Sequence, residues 1–168
     1  ISPMSSVRSP KKSPSVPDPA DTAAPASEPV DTGFLRTLVG YNTRRAALSI
    51  IAVFMERMAV YDLKVVDFSV LSLVAHNPGI TSRQLCATLS VLPPNMVGLI
   101  AALERRGLIE RRPHPSDGRA MGVHLTPAGV ELTAQAEQTA AQLEEDATHR
   151  LTAAERKTLI RLLQKVYD

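Results

Sequence analysis

Tryptophan is absent, and aromatic residues make up only 4% of the 168-residue chain, whose apolar fraction is 44%. That fraction is mostly Leu, Val and Ala, a balance that favours helices over a β-sandwich built on aromatic and β-branched strands. A single cysteine, Cys86, excludes an intrachain disulfide framework and a cysteine-based zinc site. No apolar run approaches the ~18 residues that a membrane span requires. None stands near the N-terminus in the manner of a secretory signal, so a cytoplasmic chain with no membrane contact is expected. His76, His114, His124 and His149 lack metal-ligand spacing, and no Gly-rich phosphate loop or Gly-x-Ser-x-Gly elbow occurs. Neither catalysis nor a metal or cofactor is therefore expected. The net charge of +2 is too small to argue for nucleic acid by its sum. Its distribution says more.

Residues 1–32 hold seven of the 13 prolines, seven serines and almost no large apolar side chains. Such a segment cannot bury enough surface to offset chain entropy, and it is expected to be a flexible tail. Ile1, Ser2 and Pro3 ahead of Met4 read as a cloning remnant. With three basic and four acidic residues, the tail is not a basic arm for DNA.

Beyond it, periodicity predicts a long helix over 33–60, with apolar residues at Phe34, Leu38, Tyr41, Leu48, Ile51, Met55 and Met58. Its length suggests a partner helix. A second helix over 67–76 stops at Asn77-Pro78-Gly79. A third opens at Thr81, with Gln84 at capping-box spacing, and ends near Ser90. Pro93 and Pro94 open a fourth, which carries Met96, Leu99, Ile100 and Leu103 inward and ends at Gly107. Two strands follow, 108–112 and 120–125, around the turn-rich loop 113–119. Helices over 127–147 and 152–166 close the chain, opened by Thr126-Pro127 and by the Thr152/Glu155 box. The fold class expected is mainly α with a small β-hairpin wing: a winged helix-turn-helix of six helices. In that arrangement the second helix of the motif, 93–106, enters the DNA major groove. Arg105, Arg106, Arg111, Arg112 and Arg119 crowd residues 105–119 against only Glu110 and Asp117. Arginine suits phosphate and a narrow minor groove. The same pattern also fits a solvated hairpin with surface arginines.

Specific stretches go further. Residues 67–130 resemble the core of the MarR family of bacterial regulators in Asn77-Pro-Gly-Ile-Thr81, Gln84-Leu-Cys-Ala-Thr-Leu89 and Leu103-Glu-Arg-Arg-Gly-Leu-Ile-Glu-Arg-Arg112. The most specific piece is Pro115-Ser-Asp-Gly-Arg-Ala120 running into Val123-His-Leu-Thr-Pro-Ala-Gly129. The resemblance implies an intertwined homodimer over 33–168, with a DNA-binding lobe at 67–125 and dimerisation helices at 33–60 and 127–167. It also implies a sequence-specific transcriptional regulator, most often a repressor, on a near-palindromic operator in double-stranded DNA. A small aromatic acid, phenolic or acyl-CoA ligand would release it. Two alternatives stand beside this: a ligand-independent architectural DNA-binding protein, and a winged-helix protein-interaction module.

By the same resemblance Arg119 enters the minor groove, braced by Asp117; the plain alternative is a surface ion pair. Arg111 and Arg112 flank the wing, and strand alternation suggests that only one of them touches phosphate. Arg83 and Gln84 are further phosphate candidates, with Thr81 only a cap. The recognition helix departs from the family's usual Ser, Arg or Thr. Asn95 is its one strong hydrogen-bonding side chain, able to read adenine or simply to cap or face solvent. Pro94 or Val97 can touch a thymine methyl, and Gly98 permits close approach. For a ligand, Arg45 on the apolar stripe of the first helix either meets an anion or pairs with Glu56 or Asp62. Arg44, Tyr41, His76 and Met55 are weaker candidates, and His76 can instead complement its helix dipole. Cys86, on the third helix beside Leu85, is expected to be a small buried residue rather than a redox sensor.

Overall fold

The computed structural model describes residues 29–114 and 117–168, the side chains of 114 and 117–120 excepted. The tail up to residue 28 and the side chains of Asp117 and Arg119 thus lie outside the described residues.

The first helix is not continuous. α1 (Gly33–Arg36) and α2 (Val39–Met58) are separated by Thr37 and an extended Leu38 at φ −90°, ψ 128°. The break is stabilised from within: Asn42 Nδ2 donates to the carbonyls of Arg36 and Leu38, both at 2.8 Å. α2 then tightens into a 3-10 turn, Ala59–Tyr61, closed by Asp62 in the left-handed region. α3 spans Val65–His76, starting two residues earlier than expected because Asp67 accepts a hydrogen bond from the Lys64 N–H and caps the first turn. The expected six helices therefore become seven.

α4 (Ser82–Leu89) carries the expected cap: Gln84 N–H donates to Thr81 Oγ1, and Gln84 Oε1 accepts from Thr81 N–H and Oγ1. Ser90 is left-handed, and α5 (Pro93–Arg105) leaves at a bend of 115°. That angle lies within the helix-turn-helix range. Gly107, at φ +68°, ends α5 and returns the Leu108 N–H to the Leu103 carbonyl.

The sheet has three strands, not two. β1 (Ile80–Thr81) pairs antiparallel with β3 (Asp117–Leu125), whose other edge pairs with β2 (Ile109–His114). Both hairpin strands run further toward the wing tip than their hydrophobic pattern indicated. A two-residue strand has no period to read, so β1 left no signal in the sequence.

α6 (Pro127–Ala147) packs against both α2 and α3, and α7 (Ala153–Tyr167) follows. One continuous core joins Phe54 and Met58 of α2, Val70, Leu71 and Val74 of α3, Leu85, Met96, Ile100, Leu103, Val123 and Leu143. Phe54 and Phe68 meet edge to face at 5.6 Å. The inner face of α2 is therefore set by Phe54 and Met58. Phe34, Leu38, Leu48, Ile51 and Met55, all on the stripe read from the sequence, are exposed.

Candidate nucleic-acid interface

α5 is held by a buried stripe of Met96, Ile100 and Leu103. At about 100° per residue, the opposite crest carries Pro94, Gly98 and Arg105. Val97 stands on one shoulder and Asn95 on the other. Pro94, Asn95, Val97 and Gly98 are all exposed. Pro94, Asn95 and Gly98 share an open groove of about 760 Å³ that faces the start of α3 and is also lined by Asp62, Lys64, Asp67 and Arg106, while Val97 stands apart on the other shoulder.

The arginines divide by what they touch. Arg106 donates to the carbonyls of Tyr61 and Asp62, both at 2.8 Å, and so pins the turn that ends α2. It belongs to the fold, although its sequence position placed it among the DNA-facing cations. Arg111 forks onto Glu104 of α5 at 2.9 and 2.6 Å, tying the wing to the recognition helix. The fork holds the Glu104 carboxyl below its ordinary value of 4.5, the hydrogen bond from Arg111 outweighing partial burial, and raises the Arg111 guanidinium. Arg112 projects from the other face of β2 and pairs with Glu110 on that face. Such an exposed pair is weak, and a phosphate can replace its carboxylate. Sequence reasoning missed Glu104 as the partner of Arg111, because no local spacing rule links the end of a helix to the following strand.

Arg83 is exposed on the first turn of α4. Gln84 has its carbonyl oxygen committed to the Thr81 cap, leaving its amide N–H groups for outside contact. Cys86 is half-buried against the core.

The residues expected at a ligand site are not brought together within one protomer. Tyr41 and Met55 are 14 positions apart on α2, about 21 Å along its axis at 1.5 Å per residue. Arg44, Arg45 and Met55 are exposed. Among the described residues Arg45 meets neither Glu56 nor Asp62; the ion pair that α2 makes is Arg57 with Asp146 of α6, at 2.6 Å. His76 does more than end its helix: its Nε2 lies 3.0 Å from Glu137 Oε1, which also accepts from Ser72 Oγ at 2.7 Å. This small network fastens α3 to α6.

A family model described as MarR family matches residues 61–120. The multiple antibiotic resistance protein MarR of Salmonella typhimurium is 36% identical over 106 residues, 62% of this chain and 74% of that one. The transcriptional repressor CouR, solved on a 23-mer DNA duplex, superposes with a TM-score of 0.78 at 34% identity, over 83% of this chain and 99% of that one. Bordetella bronchiseptica BpsR, whose DNA binding is regulated by 6-hydroxynicotinic acid, superposes with a TM-score of 0.73 at 26% identity, over 83% and 98%. The chain spans less of other curated relatives: 60% of a putative transcriptional regulatory protein from Thauera aromatica. With this winged-helix architecture and these relatives, the chain belongs to the MarR family.

Proposed function

We propose that this chain is a homodimeric repressor that binds a near-palindromic DNA operator and is released by a small organic ligand. The observation that carries the reading is the placement of α5. Its exposed crest leaves the helix-turn-helix at 115° beside a wing bearing Arg111 and Arg112. The shared fold of a repressor solved on DNA supports the same docking. Two α5 helices in a two-fold dimer would enter successive major grooves about 34–36 Å apart. Arg119 is assigned to the minor groove with Asp117 as its brace, and Arg112 and Arg83 to phosphate. The protein would act in the cytoplasm, where bacterial DNA is.

For the effector, an aromatic acid, phenol or acyl-CoA thioester is proposed, on the analogy of BpsR. Arg44 and Arg45 are the candidate anion-binding cations, with Tyr41 on the same half of α2. Because this half of α2 is exposed in one protomer, such a site would be completed at the dimer seam. A ligand there weakens DNA binding only by preferring a dimer whose recognition helices no longer match the operator.

The test is fluorescence anisotropy of the full chain on the DNA upstream of its own gene and on a scrambled duplex, across a salt series. Selective binding is expected, with log affinity falling by about 0.9 per log unit of salt for each phosphate neutralised. Equal binding to both duplexes would favour the architectural alternative. No binding to either at low salt would favour a protein-interaction module.

A further inference from the structure

The crest of α5 is unusual for a surface that reads bases. Over its first three turns the crest and the Val97 shoulder present Pro94, Val97, Gly98 and the half-buried Ala101, none with a side-chain hydrogen-bonding group. Leu92, immediately before the helix, is 69% exposed and Val97 61%. The polar side chains ahead of Arg105 stand to either side of the crest. Asn95 stands on the shoulder toward α3, in the groove that it shares with Pro94 and Gly98. Glu104 is forked by Arg111 and so does not offer its carboxylate to a cytosine amine. Gly98 has no internal reason to be glycine, since a Cβ there meets nothing within 4 Å. Glycine in mid-helix costs about 0.5–1 kcal/mol against alanine. The space it leaves lies on the outer surface, between Val97 and the groove lined by Pro94 and Asn95.

An apolar crest of this kind is flanked by exposed cations: Arg105 on α5, Arg83 on α4 and Arg112 on the wing. That charge matches phosphate on either side of a groove, and the apolar group a B-DNA major groove offers between its phosphates is the C5 methyl of thymine. We propose that α5 reads its half-site through thymine methyl groups, with Val97 as the specificity-determining residue and Gly98 admitting the base edge. The proposal rests on the DNA-binding reading above and specifies what that site recognises.

The test begins with selection of duplexes from a randomised library by the full chain. Recovered sequences are resynthesised with deoxyuridine in place of thymidine inside the half-sites, which removes the methyl and keeps every hydrogen-bonding group. The wild type should bind the uridine duplex about fourfold more weakly per contacted methyl, the ratio that corresponds to ~0.8 kcal/mol for one buried carbon group. One thymine in each of two half-sites makes this about fifteenfold. Val97→Ala should bind both duplexes alike, at the weaker level, with an unchanged melting temperature because Val97 lies outside the core. Equal wild-type affinity for the two duplexes, or selected half-sites without thymine, overturns the thymine proposal and leaves DNA binding standing. Failure to enrich any sequence overturns both.

Discussion

Gly129 shows how one atom can fix a junction. A Cβ at this position would sit 1.9 Å from the Leu108 carbonyl oxygen. The start of α6 therefore lies directly on Leu108, the residue that leads into β2. Thr126 secures the same place, donating to the Gly107 carbonyl at 2.6 Å and accepting from the Gly129 N–H at 3.0 Å. The Leu-Thr-x-x-Gly stretch, 125–129, is thus a packing motif with a steric reason for its glycine. Gly129→Ala should lower stability by about 3 kcal/mol, the upper end for overpacking, or roughly 10 °C in thermal denaturation for a domain of this size. Arg119 carries the opposite kind of prediction. Arg119→Ala should weaken operator binding by about 1–3 kcal/mol, roughly fivefold to more than a hundredfold, with the melting temperature retained. Unchanged affinity in a titration would remove Arg119 from the interface.

Elements are joined here by a few directional contacts, and the Arg111–Glu104 fork is the one that fixes the wing against α5. Because the folded-state pKa of Glu104 is depressed, its contribution is fully present above the ordinary value of 4.5 and is lost as the pH falls through the lower folded value. The melting temperature of the wild type should exceed that of Glu104→Gln at pH 7, by an amount equivalent to ~1 kcal/mol or less for so exposed a pair. The gap should close on acidification below 4.5. A gap that persists at low pH would mean that Glu104 acts by packing. The recognition helix offers a separate check. Gly98→Ala should stabilise the fold by about 0.5–1 kcal/mol while weakening DNA binding, since the added methyl fills space that faces outward.

At the scale of the whole molecule, a single protomer leaves too much apolar surface bare. α7 buries none of its residues, and Leu159, Ile160, Leu162, Val166 and Tyr167 are exposed along it. A 15-residue helix with no packed face is marginal in water. The exposed stripe of α2 at Leu48, Ile51 and Met55 completes the same picture. We expect a dimer sedimenting at twice the 18.1 kDa chain mass. Ile160→Asp should shift it toward monomer and abolish operator binding at the same protein concentration. A fully monomeric wild type in sedimentation velocity would contradict this.

The sequence alone determined what is periodic or capped: α4 to α7 within a residue or two, the Thr81 and Thr152 caps, the inward residues of α5, and the exposed positions that are candidates for reading DNA. These are local properties, decided by neighbours three or four residues away. The family resemblance was equally legible, because it rests on contiguous stretches. Tertiary structure decided the rest. The break at Leu38 depends on an asparagine reaching back to two carbonyls. β1 exists only because β3 passes beside it. Arg106, Arg111 and His76 have partners 45, 7 and 61 residues away, and three-dimensional packing assigned Arg106 to the fold and Arg111 to the hinge between wing and helix. Which side of α2 faces the core was likewise beyond periodicity, since apolar residues lie on both of its sides and packing against α6 and α3 chooses between them.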